Sequence, residues 1–274
     1  MTKVRLHGRD TVREHPTMFL TGPNRQSLLE LAAQLDNAVF ITTGGAEVDY
    51  ARLGLRSIEI DTGEDLLDIL ACLKEEDNAH LFGGVVQTVV FDNFADIQNN
   101  LLLHHTYDSG RETPHFDDWS WLLTYTGRII NSFSGLGRYN TIILGVQPLG
   151  ESDTVKPGVL GAFSNAMNTH CDYNLYANYR KRSDGEVLTI LTKPSWSIPW
   201  IYDSFSQLPK DIDTDGERIL QRLISGHSGR VAKLNDSVVI DDAPSEEPVQ
   251  VETGEQYLPT GMGSDEDVAA ALQR

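Results

Sequence analysis

Residues 87–94, Gln-Thr-Val-Val-Phe-Asp-Asn-Phe, carry the side chain best placed for chemistry. Thr88, Val89, Val90 and Phe91 are β-branched or aromatic and suit a strand buried on both faces, and Asp92 follows at its carboxyl end. In an open α/β sheet that end faces the ligand crevice, where a lone carboxylate can hold a metal-bound water beside a phosphate. An apolar run ending in Asp also serves as a plain strand terminator, so the signal needs company. A second stretch supplies some. The short apolar strand Thr17 to Thr21 runs into the turn pair Gly22-Pro23, and a helix follows from about Gln26 to Leu35, with leucines 28, 31 and 35 at helical spacing. Strand, glycine turn and helix is the layout of a phosphate-binding loop.

Other groups compete for attention. Tyr173, Tyr176 and Tyr179 lead into Arg180-Lys181-Arg182, the one dense basic spot in the body. Aromatic residues beside basic ones make a platform for single-stranded nucleic acid, and the same residues also make a solvated hairpin tip. His104 and His105, with Asp108 and His115, have the residue types of a metal cluster. Adjacent histidines on a helix point about 100° apart and do not easily share one ion, so a polar loop is the reading preferred here. Trp119, Trp121 and Tyr125 stand at helical spacing and suit either stacked bases or a core. Trp196 and Trp200, bracketed by prolines, suit a sheet-edge cap or a partner contact.

The elements that must position these residues read as an alternation. After the first strand and helix come strands at 38–42 and 57–60, with the turn Thr43-Gly44-Gly45 between them. An amphipathic helix covers 63–76, the Asp92 strand follows, and helices run to about His104 and from Asp117 to about Leu136, joined by a polar loop. Asp117 or Asp118 is the expected N-cap. Thr141 to Val146 is another buried strand, ending at Gln147-Pro148. Residues 173–180 and 186–192 flank Ser183-Asp184-Gly185 as an antiparallel hairpin, and a helix at 216–223 ends the folded body. Repeated strand–helix alternation predicts a mostly parallel, doubly wound α/β sheet with a C-terminal antiparallel hairpin.

Composition bounds the rest. The 274 residues and 40% hydrophobic content suffice for one large α/β domain, expected over 17–234, with an N-terminal arm at 1–16 and an acidic, disordered tail at 235–274. The formal charge is −18, and residues 236–274 hold ten acids and one base, so the tail supplies half of it. Such acidity opposes nucleic acid except at a local basic patch. Cys72 and Cys171 stand far apart in different elements and give neither a disulfide framework nor a zinc site. No apolar run approaches membrane-spanning length and no signal peptide is read, so a cytosolic, membrane-free protein is expected.

The succession resembles a known family. A strand into Gly22-Pro23, a strand into Thr-Thr-Gly-Gly at 42–45, a strand ending in Asp92, the helix Trp-Ser-Trp-Leu-Leu-Thr-Tyr-Thr-Gly-Arg-Ile-Ile-Asn-Ser-Phe, a strand ending in Gln147, Lys-Pro-Gly-Val-Leu-Gly-Ala-Phe at 156–163 and a Cys-Asp-Tyr-Asn-Leu-Tyr strand resemble the phage RecA-like P-loop ATPases, relatives of single-strand annealing recombinases. The resemblance covers about residues 16–223. It implies a RecA-like fold in which the Thr21 and Asp92 strands adjoin, ATP and magnesium as cofactors, and single-stranded DNA or a phage DNA-processing protein as partner. Homo-oligomers are usual for such relatives.

This chain departs from the family's pattern at the groups that do chemistry. A working loop reads GxxxxGK[ST], its amides cradling phosphate, its lysine neutralising charge and its hydroxyl holding magnesium. Counted from Gly22, those places fall on Ser27, Leu28 and Leu29. Shortening the loop by two makes Ser27 the hydroxyl, Gln26 the lysine and Arg25 the second glycine. The motif is broken either way. The acid that relatives carry after the second strand is missing as well, and Glu47 is the nearest carboxylate. The residues left to hold a nucleotide are Gly22, Pro23, Arg25, Ser27, Asp92 and Gln147, the last at the resemblance's γ-phosphate-sensing place, with Asp92 and Ser27 for magnesium. Because positioning and charge neutralisation supply nearly all phosphoryl-transfer catalysis, a degenerate ATPase with little or no hydrolysis is expected. It would bind ATP with magnesium or take no cofactor. Two roles stay open: an accessory protein of DNA recombination or replication in the host cytoplasm, with Arg180, Lys181 and Arg182 as strand contact, or a non-enzymatic assembly protein of the virion.

Overall fold

A computed structural model describes residues 13–45, 47–147, 155–183, 185–213 and 218–236. Residues 1–12 of the arm and 237–274 of the acidic tail lie outside them, so the expectations placed there are untouched.

Nine strands among the described residues form one sheet. In chain order the elements are β1 (Thr17–Gly22), α1 (Arg25–Ala32), β2 (Ala38–Thr42), α2 (Glu47–Leu53), β3 (Arg56–Glu59), α3 (Gly63–Lys74), β4 (Thr88–Phe91), α4 (Phe94–Asp108), α5 (Phe116–Ser134) and β5 (Asn140–Val146). There follow α6 (Phe163–Ala166), β6 (Tyr173–Arg182), β7 (Gly185–Leu191), β8 (Tyr202–Asp203), β9 (Asp211–Asp213) and α7 (Ile219–Asp236). The strands lie in the order β3-β2-β4-β5-β1-β6-β7-β9, with β8 paired to β6. From β3 to β6 every pairing is parallel, and β6–β7, β6–β8 and β7–β9 are antiparallel. This is the mostly parallel, doubly wound α/β sheet with a C-terminal hairpin that the alternation predicts.

The apolar runs sort themselves by the period of two. Phe19, Val39, Ile41, Val89, Phe91 and Ile143 point to one face and pack with α3, α4 and α5 through Leu66, Ile97, Leu101 and Phe133. Met18, Leu20, Phe40, Val90, Ile142 and Leu144 point to the other, where Leu28 of α1, Tyr50 of α2 and Leu220 of α7 cover them. Each fully buried Phe or Leu contributes about 1.5–3 kcal/mol, so a run buried on both faces holds its strand in the sheet's middle. Phe91 also meets Phe94 and Phe133 edge-on at 5.7 and 5.0 Å.

Several expectations need correction. Thr21 and Asp92 are not on adjoining strands: β5 lies between β1 and β4, pairing with Thr21 through Gly145 and with Phe91 through Ile143. Spatial order leaves no mark in the sequence of individually buried strands, and β5, apolar on both faces, is fit for the centre. Residues 47–53 form a helix that the sequence pattern does not announce; only Tyr50 of it is buried, so no apolar period advertises it. The connection from α4 to α5 is shorter than expected, and the N-cap of α5 is His115, with Asp118 completing a capping box. Helix α7 continues to Asp236 rather than stopping at Leu223. Its buried stripe, Leu220, Leu223, Ile224, His227 and Val231, is interrupted by a histidine, which hides the period. That histidine ties α7 to the sheet and to the end of the arm: His227 meets the Tyr173 hydroxyl at 3.0 Å and the Arg13 carbonyl at 2.8 Å.

Candidate functional site

The carboxyl ends of β1, β4 and β5 and the first turn of α1 meet at one corner of the sheet. Only Pro23 and Asn24 separate β1 from α1. Asn24 caps the helix, its side-chain oxygen accepting from the Ser27 amide at 2.8 Å. A cradle of successive amides needs a longer loop than two residues, one of them a proline without an N–H. The Gly22 carbonyl accepts from the Gln147 amide at 2.8 Å, and a Cβ on Gly22 would stand 2.8 Å from Leu28 Cδ2. The strand therefore turns straight into its helix.

Asp92 lies just beyond β4 and is 1% exposed, its amide donating to the Ile41 carbonyl at 2.9 Å. Its Oδ2 takes two donors. One is Nη2 of Arg25, in a close ion pair, and the other is the Tyr50 hydroxyl at 2.5 Å. Arg25 also reaches Asp49 Oδ2 at 3.2 Å and sits 5.7 Å over the Tyr50 ring. Burial pulls the Arg25 guanidinium down, yet the Asp92 hydrogen bond and charge outweigh it, and its net shift is upward. Tyr50 is raised far above the usual phenol range, first by burial and then by the adjacent Asp92 carboxylate. The hydroxyl is thus a fixed donor, and the charge on Arg25 is permanent. Asp92 Oδ1 is buried without a hydrogen-bond partner among the described residues.

The remaining sequence candidates are also engaged by neighbours. Ser27 Oγ is in a close hydrogen bond with the Tyr179 hydroxyl of β6. The Tyr176 hydroxyl donates to Gln147 Oε1 at 2.6 Å, and burial raises that phenol. Glu47 is exposed at the start of α2, and the α2 residues that reach the corner are Asp49 and Tyr50. The structure thus brings Gly22, Pro23, Arg25, Ser27, Asp92 and Gln147 to one corner, with β5 interposed. Sequence reasoning missed Tyr50, Asp49, Tyr176 and Tyr179 as members. A polar-tipped aromatic just after a glycine turn was the only signal for Tyr50.

The segment 155–163 closes over the same end of the sheet. Gly158 packs against Gly145 so tightly that a Cβ on Gly145 would lie 2.7 Å from the Gly158 carbonyl oxygen, and its amide meets Thr21 Oγ1 at 3.4 Å. At the far end of β6, Arg180 pairs with Asp211 of β9 at 2.7 Å, Lys181 is exposed, and Arg182 ends the strand. One arginine of the basic tip is therefore partly spent on its own sheet.

Taken as chemistry, these residues do not fit a magnesium triphosphate in the manner of a phosphate loop. A magnesium-bound water needs the carboxylate that Arg25 and Tyr50 already hold, and the triphosphate needs amides that the two-residue connection does not provide. What the corner does well is neutralise its own buried acid.

No protein-family model and no curated protein matches this chain. Among solved structures, a KaiC-like protein from the hyperthermophilic archaeon Pyrococcus horikoshii is similar over 75% of this chain and 87% of its own, at 12% identity and a TM-score of 0.41. A likeness at that level carries no argument about this chain. Among the described residues no helix is long and apolar enough to cross a membrane.

Proposed function

We propose that this chain is a RecA-like, P-loop-derived domain that has given up nucleotide turnover and serves, phage-encoded, as an accessory protein of DNA recombination or replication in the host cytoplasm. The observation that carries the loss of turnover is the Arg25–Asp92 pair. An internal guanidinium stands on the one carboxylate that would order magnesium, and the loop that would wrap phosphate is two residues long. The motif succession, the parallel sheet and the gathering of Gly22, Arg25, Ser27, Asp92 and Gln147 at the strand ends support the ancestry. Exposed Lys181, with Tyr179 42% exposed beside it, supports the hairpin tip as contact for a single strand.

Equilibrium titration with a fluorescent ATP analogue and magnesium, and retention of labelled single-stranded DNA at low salt, test the two halves of this reading. No saturable nucleotide binding, together with DNA retention lost on replacing Arg180, Lys181 and Arg182 by Ala, is the expected result. Tight magnesium-dependent nucleotide binding means that turnover alone was given up, magnesium-dependent phosphate release contradicts the first half, and no DNA retention contradicts the second. A specific observation favours a virion assembly role as the alternative: Trp196 is 78% exposed and Phe116 82% exposed, which suits protein contacts. Recovery of the chain in purified particles would decide for it. In either role self-association is open to measurement by sedimentation.

A further inference from the structure

The helices on the opposite face of the sheet from α1 border a second feature, a cleft open to solvent. A cavity of about 520 Å³ lies between α3, α4 and α5, lined by Gly63, Leu67, Leu101, His104, Trp121 and Tyr125 among others. That volume is in the range of small-ligand sites, about 300–1,000 Å³. One wall is a column of rings. His105 stacks on Trp121 at 3.9 Å with planes 4° apart, and Trp121 stacks with Tyr125 at 4.8 Å and 16°. The Tyr125 hydroxyl donates to the Gly63 carbonyl at 3.0 Å, and a Cβ on residue 63 would fall 2.5 Å from that hydroxyl oxygen. Glycine at 63 is what lets α3 close against the column.

The charges around the cavity are unevenly answered. Asp65 already answers the positive end of α3: it completes a capping box with Thr62 and accepts from the Asp61 and Thr62 amides, bonds that lower its carboxyl below the usual range. Arg111 is taken by buried Asp118, which also lies 3.5 Å from His105. Glu64, in the first turn of α3, and Asp108 line the cleft as solvent-exposed carboxylates with no ion-pair partner among the described residues. The nearby Glu64 carboxylate, after burial, raises the Tyr125 phenol.

Two exposed carboxylates without an ion-pair partner among the described residues, beside stacked aromatic rings, point to a ligand class. Carboxylates attract cations, as do the outer ring faces at the ends of a stacked column, and a planar cation with a forked set of N–H donors satisfies both at once. A metal ion is a poor fit, because the described residues hold no group of three or more His, Cys, Asp or Glu able to ligate one. We propose that the α3–α4–α5 cavity binds a flat organic cation, a guanidinium or amidinium group, held between the ring column and Glu64 and Asp108. The group arrives either on a free small molecule or as the arginine side chain of a peptide.

Calorimetric titration of the full chain with benzamidine, with the uncharged isostere benzamide, and with an acetylated, amidated Gly-Arg-Gly peptide tests this. Saturable binding of a cation, no binding of benzamide, and at least a tenfold weaker Kd in the Glu64→Gln, Asp108→Asn double variant are expected. The double variant removes two exposed carboxylates without an ion-pair partner among the described residues, one of them in the first turn of α3, and should stay folded with a melting temperature close to that of the wild type; Trp121→Phe, which keeps a ring in the column, checks the stacking wall by an intermediate loss. Tighter binding of the peptide identifies a partner's arginine as the source, and tighter binding of benzamidine a small molecule. Saturation by neither cation, equal binding of benzamide, or an unchanged Kd in the double variant overturns the proposal.

Discussion

At the strand ends an acid, a base and a phenol hold one another: Asp92 is buried with Oδ2 bound by Arg25 and Tyr50, while its Oδ1 has no hydrogen-bond partner among the described residues. In the cleft formed by α3, α4 and α5, exposed Glu64 and Asp108 stand beside a wall of stacked rings with no ion-pair partner among the described residues. The first region carries the residues that resemble an ancestral chemistry, yet its polar groups are largely consumed internally. The second carries no recognised motif, yet its charges remain available. A ligand site needs unspent interactions, and a motif whose members have paired off no longer offers them.

The comparison breaks most visibly at Arg25. Arg25→Ala leaves a buried carboxylate with the Tyr50 hydroxyl as its one remaining donor, and loss of one partner of a buried pair costs about 3–5 kcal/mol, the lower end applying because Arg25 is partly exposed. Urea denaturation should show a lower midpoint with an unchanged slope. If Asp92 were instead a metal ligand in waiting, magnesium would restore the stability of this variant but not that of Asp92→Ala.

A second effect concerns the seam between α7 and the sheet. Burial lowers the pKa of His227, against a smaller upward pull from its bond to the Arg13 carbonyl, and burial also lowers that of His170. The groups facing His227 are Tyr173, Arg230, Asp172 and His15. With folded values below the unfolded 6.5, the unfolded chain binds protons more readily, so stability is complete above pH 6.5 and falls as the pH drops below it. One such proton gives a slope of at most about 1.4 kcal/mol per pH unit. Melting temperatures of wild type and His227→Gln across pH 5–8 should show a shallower slope in the variant.

Smaller effects sharpen the contrast. Asn24→Ala removes the α1 cap and should cost about 1 kcal/mol. The Glu64→Gln, Asp108→Asn variant should change stability by less than about 0.5 kcal/mol, since both carboxylates are exposed and neither has an ion-pair partner among the described residues. A large loss there would mean that these acids are held in the fold as firmly as Asp92.

Much of the fold was legible because strands buried on both faces write continuous apolar runs, as Thr88 to Phe91 and Thr141 to Val146 do. Arg25, Ser27 and Asp92 were grouped through the family resemblance rather than through any local pattern, and the structure pairs Arg25 with Asp92. What closes the corner was not legible. Arg25 and Asp92 lie 67 residues apart, Ser27 and Tyr179 lie 152 apart, and no local pattern reports such pairings. Tyr50 sits on a helix with one buried residue, too little to register as amphipathic. The sequence pattern ends the helix at about His104, whereas α4 runs on to Asp108 and turns both His104 and His105 toward one cleft, where Trp121 provides a stacking surface for His105. The strand order that separates Thr21 from Asp92 is set by packing across the whole sheet.

Release of inorganic phosphate from ATP by the purified chain, with and without magnesium, tests the central claim most directly. With Arg25 on Asp92 and no loop to hold phosphate, the rate should equal that of the buffer and be the same for Asp92→Ala. Magnesium-dependent turnover by the wild type that disappears in Asp92→Ala would contradict the account.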